Sequence, residues 1–195
     1  MRKLTLIPAA LAAVLACAAC TSPAANLSHS VDVRMGDNDC TGFIADARTV
    51  VTTADCAAGP LRAAAVVIDG DTYTPGVSGG TDPYPAVWEP AAAGIAVIHL
   101  DRPIKGVRPL PADAVSDQIP SSGLVLADGT SFSIDTGESG PWSHRAVGMP
   151  KQVRPGTPVL DGAGDIIGVA ARSASGDTVE LLNDDTLTWI ASLTR

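Results

Sequence analysis

Turn-forming residues are spread along the whole chain, and their spacing limits the possible fold more than any other feature of the sequence. The 195 residues include 19 glycines and 15 prolines. They separate short apolar runs such as TGFIA (41–45), RTVVTT (48–53), AAAVVID (63–69) and AGIAVIHL (93–100). Short apolar runs bounded by Gly and Pro are typical of β-strands joined by turns. The length is sufficient for one domain with a sizeable core, or for two small ones.

The strand pattern is interrupted once and then ends in a helix. Residues 101–120 hold four prolines and no clean period, which predicts a linker. Short strands resume over 121–183, where DGAGD (161–165) predicts a hairpin turn. Acids begin the segment 184–195, and Leu187, Ile190 and Leu193 recur at helical spacing, so we expect a C-terminal helix there. The order predicts an all-β protein with two β-barrels, residues 31–100 and 121–183, and a terminal helix.

The N-terminus has the features of a bacterial export signal. Arg2 and Lys3 precede an apolar run of 13 residues, LTLIPAALAAVLA, and small residues then surround Cys17 and Cys20. The run is too short to span a bilayer. A cysteine after small residues is typical of a lipoprotein cleavage site; Cys20 fits better than Cys17, and an ordinary cleaved signal is the alternative. We therefore expect a signal peptide at 1–20, a tether at 21–30 and a mature domain at 31–195. The domain would lie in the cell envelope, lipid-anchored to the outer face of the cytoplasmic membrane, or be secreted.

The charge balance excludes one class of partner. Removing Arg2 and Lys3 with the signal lowers the basic residues from 13 to 11 against 21 acidic ones, so the net charge falls from −8 to about −10. The chain has no Lys/Arg run, which argues against nucleic acid. We expect contact with a membrane only through the lipid anchor. The mature body also has no metal-ligand spacing such as His-Glu-x-x-His or paired Cys-x-x-Cys, so we expect no metal and no cofactor.

Cys40 and Cys56 are the only cysteines of the mature body. An even pair in an exported chain predicts a disulfide, and two buried thiols are the alternative. A bridge that closes a loop of roughly 15 residues would contribute on the order of 3 kcal/mol in the chain-entropy model.

Several segments, in order along the chain, resemble the trypsin/chymotrypsin-like serine proteases. CTGFI (40–44) and VVTTADC (50–56) are similar to that family's C-[ST]-G-[FS]-[LI] strand and TAAHC turn, and the cysteine spacing matches its first disulfide. GIAVIHLDRPI (94–104) is similar to its D-I-A-L-L-x-L-x-x-P-[IV] segment. VRPGTPVL (153–160) stands in place of G-D-S-G-G-P-[LV], and TWI (188–190) fits its C-terminal helix. The resemblance implies two six-stranded antiparallel β-barrels (trypsin-like) with a C-terminal α-helix.

The resemblance does not extend to the catalytic residues. In the family a serine attacks, a histidine takes its proton, and a buried aspartate holds the imidazole. This sequence has Asp55 at the histidine position, Gly94 at the aspartate position and Pro155 at the serine position. We expect the three positions to converge on one cleft that has no nucleophile and no base, so that the chain has no catalytic residue.

The oxyanion site and the activation contact depart from the family as well. One family oxyanion donor is the backbone N–H of the serine, and Pro155 has no N–H. Val153 replaces a glycine whose conformation aims the other donor. Arg154 replaces an aspartate that pairs, in activated family members, with a freed N-terminal amine. The departures at Pro155 and Val153 predict loss of the oxyanion site, and the departure at Arg154 predicts loss of the activation switch.

Other residues do not form an obvious replacement site. His99 lies five residues beyond Gly94, about 16 Å along a strand and on the opposite face, so we expect it to be a partly exposed strand histidine. Ser143 and His144 are strand neighbours and therefore face opposite ways. Asp161 and Asp165 are turn formers.

The sequence predicts a catalytically inactive member of the fold, a pseudoprotease, that binds a peptide or protein in the cleft between its barrels. Two alternatives stay open. One is an active serine-type peptidase with a displaced site; the other is a structural envelope lipoprotein whose cleft has no role. Fold alone does not choose among them.

Overall fold

A computed structural model describes residues 30–58, 64–76, 87–88, 94–106, 119–125, 130–137 and 143–193. The predicted signal peptide at 1–20, with Cys17 and Cys20, and residues 21–29 of the predicted tether lie outside this set. So do residues 107–118 of the predicted linker. Within the described segments, no helix is long and apolar enough to cross a membrane.

The first half of the chain forms one antiparallel sheet of seven strands in the order β5-β4-β1-β2-β3-β7-β6. Its strands are β1 (Ser30–Met35), β2 (Asn38–Asp46), β3 (Thr49–Thr53), β4 (Ala64–Ile68), β5 (Asp71–Tyr73), β6 (Val87–Trp88) and β7 (Ile95–His99), and a single helical turn, α1 (Ala54–Ala57), follows β3. The resemblance implied an antiparallel β-barrel here, and the described strands form an antiparallel sheet consistent with it. The shortest strands, β5 and the two-residue β6, lie at its two edges, and period-2 alternation cannot be recognised in them.

The second half forms a closed antiparallel barrel of six strands in the order β10-β13-β12-β11-β8-β9, as expected. Its strands are β8 (Ser122–Val125), β9 (Ser131–Asp135), β10 (Ser143–Val147), β11 (Pro158–Leu160), β12 (Ile166–Ser173) and β13 (Gly176–Leu181). The predicted hairpin turn joins β11 to β12, and the Asp161 carboxylate accepts hydrogen bonds from the backbone N–H groups of Ala163, Gly164 and Asp165. Such side-chain-to-backbone bonds are the reason Asp favours turns.

The predicted C-terminal helix is confirmed as α2 (Asp184–Leu193). The Asn183 side chain precedes it and accepts hydrogen bonds from the Thr186 backbone N–H and hydroxyl, both at 3.0 Å. This satisfies one of the free donors at a helix start. Asp184 and Asp185 add negative charge in the first turn, which the helix dipole favours.

The described residues form three apolar cores, and one of them joins the two halves. One lies within the first sheet and another inside the second barrel. The third joins the halves and consists of Phe43, Val51, Ile95, Val97, Leu160, Ile166, Val169, Leu182 and Ile190. Because the third core contains residues of β2, β3 and β7 as well as β11, β12 and α2, it fixes the two halves face to face. The cleft lies at the edge of this contact.

Candidate functional site

The turn that carries Asp55 is attached to the start of β2. The hydroxyl of Thr53, the last residue of β3, donates a hydrogen bond to the Cys56 sulfur at 2.9 Å. The Asn38 amide donates to the Asp55 carbonyl oxygen at 3.3 Å. The predicted disulfide between Cys40 and Cys56 is confirmed, with a Cα–Cα distance of 6.0 Å, within the usual range for such bridges. The Asp55 turn is therefore held by two alternate residues of β2.

The loop that carries Pro155 is attached to the intervening residues of the same strand. The Thr41 backbone N–H donates to the Pro155 carbonyl oxygen at 2.8 Å, and the Thr41 hydroxyl approaches the same oxygen at 3.2 Å. Arg154 bridges two carboxylates, Asp39 at 3.1 Å and Asp32 of β1 at 2.5 Å. Partial burial opposes the charged form of Arg154, but the two carboxylates outweigh it and raise its pKa above the ordinary value. The Arg154 guanidinium therefore links the loop of the second half to β1 and β2 of the first half.

Residues 38–41, with the turn 53–56 and the loop 154–157 that they hold, are called the β2 junction below. Asn38 and Cys40 contact the turn, whereas Asp39 and Thr41 contact the loop. Successive side chains of a strand point to opposite faces. One short stretch of β2 can therefore hold the histidine-position turn and the serine-position loop at once.

Gly156 completes the junction by close backbone packing. It has φ +83°, in the left-handed region, and a Cβ at this position would collide with the Thr41 carbonyl and the Thr52 hydroxyl. Its N–H donates to the Ala170 carbonyl oxygen at 2.7 Å. Only glycine meets both requirements, positive φ and close approach, without strain.

No oxyanion donor pair forms at this loop. Pro155 has no N–H to offer. The Val153 N–H donates instead to the Pro150 carbonyl oxygen at 3.1 Å, and the Val153 side chain is buried. A donor that is already paired within a turn is not aimed at a substrate oxygen, so the loop does not provide the geometry that stabilises a tetrahedral intermediate.

A pocket of about 200 Å³ opens beside Asp55 and Gly94, between the first sheet and the second barrel. Its lining residues are Thr53, Ala54, Asp55, Gly94, Ser143, Ala171, Arg172, Ser173, Ser175, Thr178 and Glu180. Asp55 and Gly94 are thus brought together, and the Ala54 N–H donates to the Gly94 carbonyl oxygen at 2.8 Å. Pro155 does not line this pocket. Its carbonyl oxygen is held by Thr41 in the β2 junction.

Glu180 of β13 occupies the space next to Gly94 where the family has its aspartate. A Cβ at Gly94 would lie 2.5 Å from Glu180 Oε2. Glu180 is only 8% exposed. Its Oε1 accepts hydrogen bonds from the Ser143 hydroxyl at 2.9 Å and the Thr178 hydroxyl at 2.8 Å. A carboxylate is therefore still present near this position, but it comes from another strand.

The environment of Glu180 opposes its ionisation. Burial raises the pKa of the Glu180 carboxyl above its usual range, and the nearby Asp55 charge raises it further; the Ser143 and Thr178 hydroxyls and His144 act in the opposite direction without cancelling the effect. A buried carboxyl with a raised pKa in a cleft is a feature of functional sites. The sequence pattern offered one signal for it, a charged residue inside the apolar strand TVELL.

Of the other sequence candidates, Ser143 lines this pocket, whereas His99 and His144 do not. His99 is half-buried at the end of β7, and burial lowers its pKa although Asp46 acts against this. Ser143 lines the pocket, whereas its neighbour His144 is buried with no hydrogen-bond partner on either ring nitrogen. Within the described residues, no group of three or more His, Cys, Asp or Glu side chains is placed to hold a metal.

Solved structures share this architecture. The scabies mite inactivated protease paralogue S-I1 matches with a TM-score of 0.58 and 18% identity, over 88% of this chain and 96% of its own. The VesB protease of Vibrio cholerae matches with a TM-score of 0.65 and 13% identity, over 88% of this chain and 65% of its own. The Rv3671c protease of M. tuberculosis, in an inactive form, matches with a TM-score of 0.57 and 20% identity, over 89% and 92%.

No family model matches the sequence, and no curated protein matches it either. The structural likeness, at identities of 20% or less in these three cases, establishes the fold. The chain has the trypsin/chymotrypsin-like serine protease fold, with different residues at the three triad positions.

Proposed function

We propose that this chain is an exported, lipid-anchored homologue of the trypsin-like serine proteases that does not cleave its ligand. It acts by binding a peptide or protein in the cleft between its two barrels. One observation carries the proposal: a pocket persists beside Asp55 and Gly94, while the loop at Pro155 has neither a nucleophile nor an oxyanion donor. Binding without turnover is the function that such an arrangement supports best.

The comparisons are consistent with this proposal. One structural neighbour is itself described as an inactivated protease paralogue, so the fold is known in a protein of that kind. The disulfide between Cys40 and Cys56 favours export, because such bridges persist in oxidising compartments.

The lipid anchor is tested by metabolic labelling with an alkyne-bearing palmitate in a bacterial host. We expect the chain to incorporate the label, Cys20→Ser to abolish incorporation and Cys17→Ser to retain it. The reverse pattern would move the modification to Cys17. Absence of label in the unaltered chain would reject the anchor and leave a secreted protein.

The displaced-site peptidase has one observation in its favour. The Ser143 hydroxyl lies 2.9 Å from the Glu180 carboxylate, within the range expected of a nucleophile and its base. The same carboxylate oxygen also accepts the Thr178 hydroxyl, so the arrangement already has a structural role, which is to satisfy a buried acid.

The experiment that separates the two functions is intact-mass analysis after exposure to a fluorophosphonate. The oxidised chain (residues 21–195) is compared with an active trypsin-like control. We expect no adduct, because Pro155 stands at the position of the family's serine and its loop offers no pair of oxyanion donors. A stoichiometric adduct that maps to Ser143 would establish the displaced-site peptidase instead, and Ser143→Ala would have to abolish it.

Binding in the cleft is tested in cells with a photo-crosslinking amino acid at position 175, which lines the pocket, and at the exposed position 133 of β9 as the control. We expect a crosslinked partner from position 175 alone, lost when Ala171→Leu fills the pocket and kept in Ser133→Leu. Equal crosslinking from position 175 in the unaltered chain and in Ala171→Leu would favour a structural lipoprotein whose cleft has no role.

A further inference from the structure

Three polar side chains form a row across neighbouring strands at one end of the first sheet. Thr49 of β3 is paired with Asp46 of β2 on one side and with His99 of β7 on the other. Directly paired residues of antiparallel strands have their side chains on the same face, with Cβ atoms about 4.5–5.5 Å apart. These three residues, called the His99 row below, therefore lie next to one another on one face of the sheet.

The backbone bonds bring Thr49 and His99 especially close. The Leu100 N–H donates to the Arg48 carbonyl oxygen at 2.8 Å, so the ladder bond passes beside the pair of Thr49 and His99 and not between them. Side chains of such a non-hydrogen-bonded pair are closer than those of a hydrogen-bonded pair. The His99 carbonyl oxygen instead accepts the Gly76 N–H at 3.0 Å, which fixes the backbone that carries the imidazole.

The middle member of the row has an unsatisfied hydroxyl. Thr49 is only 1% exposed, and its Oγ1 is buried with no hydrogen-bond partner among the described residues. Buried polar groups in folded proteins are normally hydrogen-bonded. Because a hydroxyl can donate one hydrogen bond and accept others, Thr49 is able to connect a donor on one side to an acceptor on the other.

The two outer members supply an acceptor and a titratable donor. The Asp46 carboxylate accepts the Arg48 backbone N–H at 2.7 Å, and a carboxylate has further acceptor sites. A neutral imidazole has one N–H donor, whereas the imidazolium has two. His99 is half-buried; burial lowers its pKa, and Asp46 is the charge that raises it.

Other charged groups near His99 do not take the place of Asp46. The described charged side chains of the turn 47–48, the segment 100–102 and the packed helix α2 are Arg48, Asp101, Arg102, Asp184 and Asp185. Asp101 accepts the Thr74 N–H at 3.4 Å, and Arg102 lies 4.8 Å from the Tyr73 ring. The two acids of α2 are exposed in its first turn, and neither β6 nor the segment 74–76 carries a titratable side chain.

We infer that the His99 row is an acid-sensing relay. When His99 gains a proton, the Thr49 hydroxyl accepts a hydrogen bond from the imidazolium and donates its own to the Asp46 carboxylate. With the imidazole uncharged the relay is open; once protonated, it links β2, β3 and β7 through side chains as well as through the backbone. The inference goes beyond the proposed binding function and does not depend on it.

The relay acts against a cost of burial. Burial lowers the folded-state pKa of His99 by more than Asp46 raises it, so that pKa lies below the value of about 6.5 for an unfolded histidine. The unfolded chain therefore binds the proton more readily, and stability is lost as the pH falls from about 6.5 through the folded-state pKa. The relay limits this loss, because it gives the imidazolium a partner and satisfies the buried Thr49 hydroxyl.

The test follows His99 in the oxidised chain (residues 21–195) by NMR titration of ring-labelled histidine, with His99→Gln to identify the resonance. Thr49→Val removes the hydroxyl and keeps the shape, and Asp46→Asn removes the charge. We expect each to move the His99 titration to lower pH, whereas Thr49→Ser, which keeps the hydroxyl, should titrate like the unaltered chain. Thr72→Val makes the same change on the exposed β5 and should leave the titration unchanged.

Urea unfolding at about pH 7.5 and about pH 5.5 measures the consequence for stability. We expect the unaltered chain to lose more stability over this interval than His99→Gln does, and Thr49→Val to lose more than the unaltered chain. An equal loss in His99→Gln and the unaltered chain would overturn the sensing role of His99.

The relay has its own contradicting outcomes. A His99 titration that is unchanged in Thr49→Val or in Asp46→Asn would overturn it. A shift in Thr72→Val as large as in Thr49→Val would show a general effect of losing a hydroxyl and would overturn it as well. Circular dichroism verifies that each variant is folded, and Asp46→Asn decides alone if Thr49→Val is not.

Discussion

The β2 junction and the pocket lie side by side, yet they differ in how their charged groups are paired. In the junction, Thr41, Arg154 and the Pro155 carbonyl all have close partners, and a disulfide adds a covalent link. In the pocket, Glu180 is buried beside a second acid, Asp55, and its pKa is raised by that burial and that charge. The contacts of the junction stabilise the folded state, whereas the buried acid in the pocket destabilises it.

A binding site combines these two properties: a well-bonded scaffold that holds its position and polar groups that are left available to a ligand. A ligand gains most from groups that are held in position and left unsatisfied before it arrives, and the free protein is less stable for it. Disruption of the junction should therefore lower the free energy of unfolding, and neutralisation of the pocket should raise it.

The largest effect is expected from Gly156→Ala. The new Cβ would collide with the Thr41 carbonyl, and φ +83° is unfavourable for alanine, so we expect a loss of about 4 kcal/mol or more, or failure to fold. Urea denaturation measures it. Gly162→Ala, where a Cβ meets nothing within 4 Å, is the control and should change stability far less. Equal losses in the two variants would contradict the packing described for Gly156.

Removal of the disulfide comes next. The bridge spans 16 residues between Cys40 and Cys56, so Cys40→Ala with Cys56→Ala should cost about 3 kcal/mol. The measurement is denaturant unfolding of the double variant beside the oxidised chain. Reduction of the unaltered chain should reproduce most of the loss; a difference below about 1 kcal/mol would mean that the junction holds the turn without the bridge.

Glu180→Gln should raise the free energy of unfolding, unlike the two changes above. Glutamine keeps an oxygen to accept the two hydroxyls and removes the buried charge, so we expect a gain of about 0.5–2 kcal/mol at pH 7, as is common for single stabilising changes. The folded-state pKa of Glu180 is raised by burial and by Asp55, so the wild-type carboxyl binds a proton more readily when folded. The advantage of Gln should therefore shrink as the pH falls through that raised pKa and vanish below about 4.3, the ordinary pKa of glutamate.

Thermal unfolding of both forms from pH 4 to pH 8 measures this dependence. His144 lowers the pKa of Glu180, whereas Asp55 raises it. The same pH series on His144→Gln, with Glu180 unaltered, measures the contribution of His144. A Gln variant that is less stable than wild type at pH 7 would contradict the account of the pocket.

The smallest effect is expected from Arg154→Met. The side chains of Arg154 and Asp32 are each 39% exposed, and solvent screens such pairs, so we expect a loss of about 1 kcal/mol or less, reduced further by 1 M salt. The double variant with Asp32→Asn isolates the pair. Lys105→Met, an exposed cation outside the junction, is the control and should change stability less than Arg154→Met.

The sequence predicted the elements whose signals are local. Alternating apolar runs, the turn at Asp161, the helix at Leu187 and Ile190 and the spacing of the two cysteines each depend on residues close together in the chain, and the structure confirms them. The two antiparallel β halves and the terminal helix are confirmed as well, although a strand as short as the two-residue β6 has no pattern that a sequence could show.

The pocket could not be predicted in the same way. Glu180 lies 86 positions after Gly94, and only the pairing of β13 with its neighbours brings its carboxylate there. The partners of Arg154 are equally distant, since Asp32 is 122 residues away. Long-range contacts of single polar side chains leave little periodic pattern in a sequence.

The ion pair between Arg154 and Asp32 also has a mechanical consequence. Any force applied to the chain ahead of Ser30 enters the domain through β1, which is paired with β2 on one side and β4 on the other. Asp32 is the third residue of that strand, so Arg154 passes part of the load directly to the second barrel. Tension on the N-terminus would therefore reach the second barrel through this ion pair as well as the first sheet through β1.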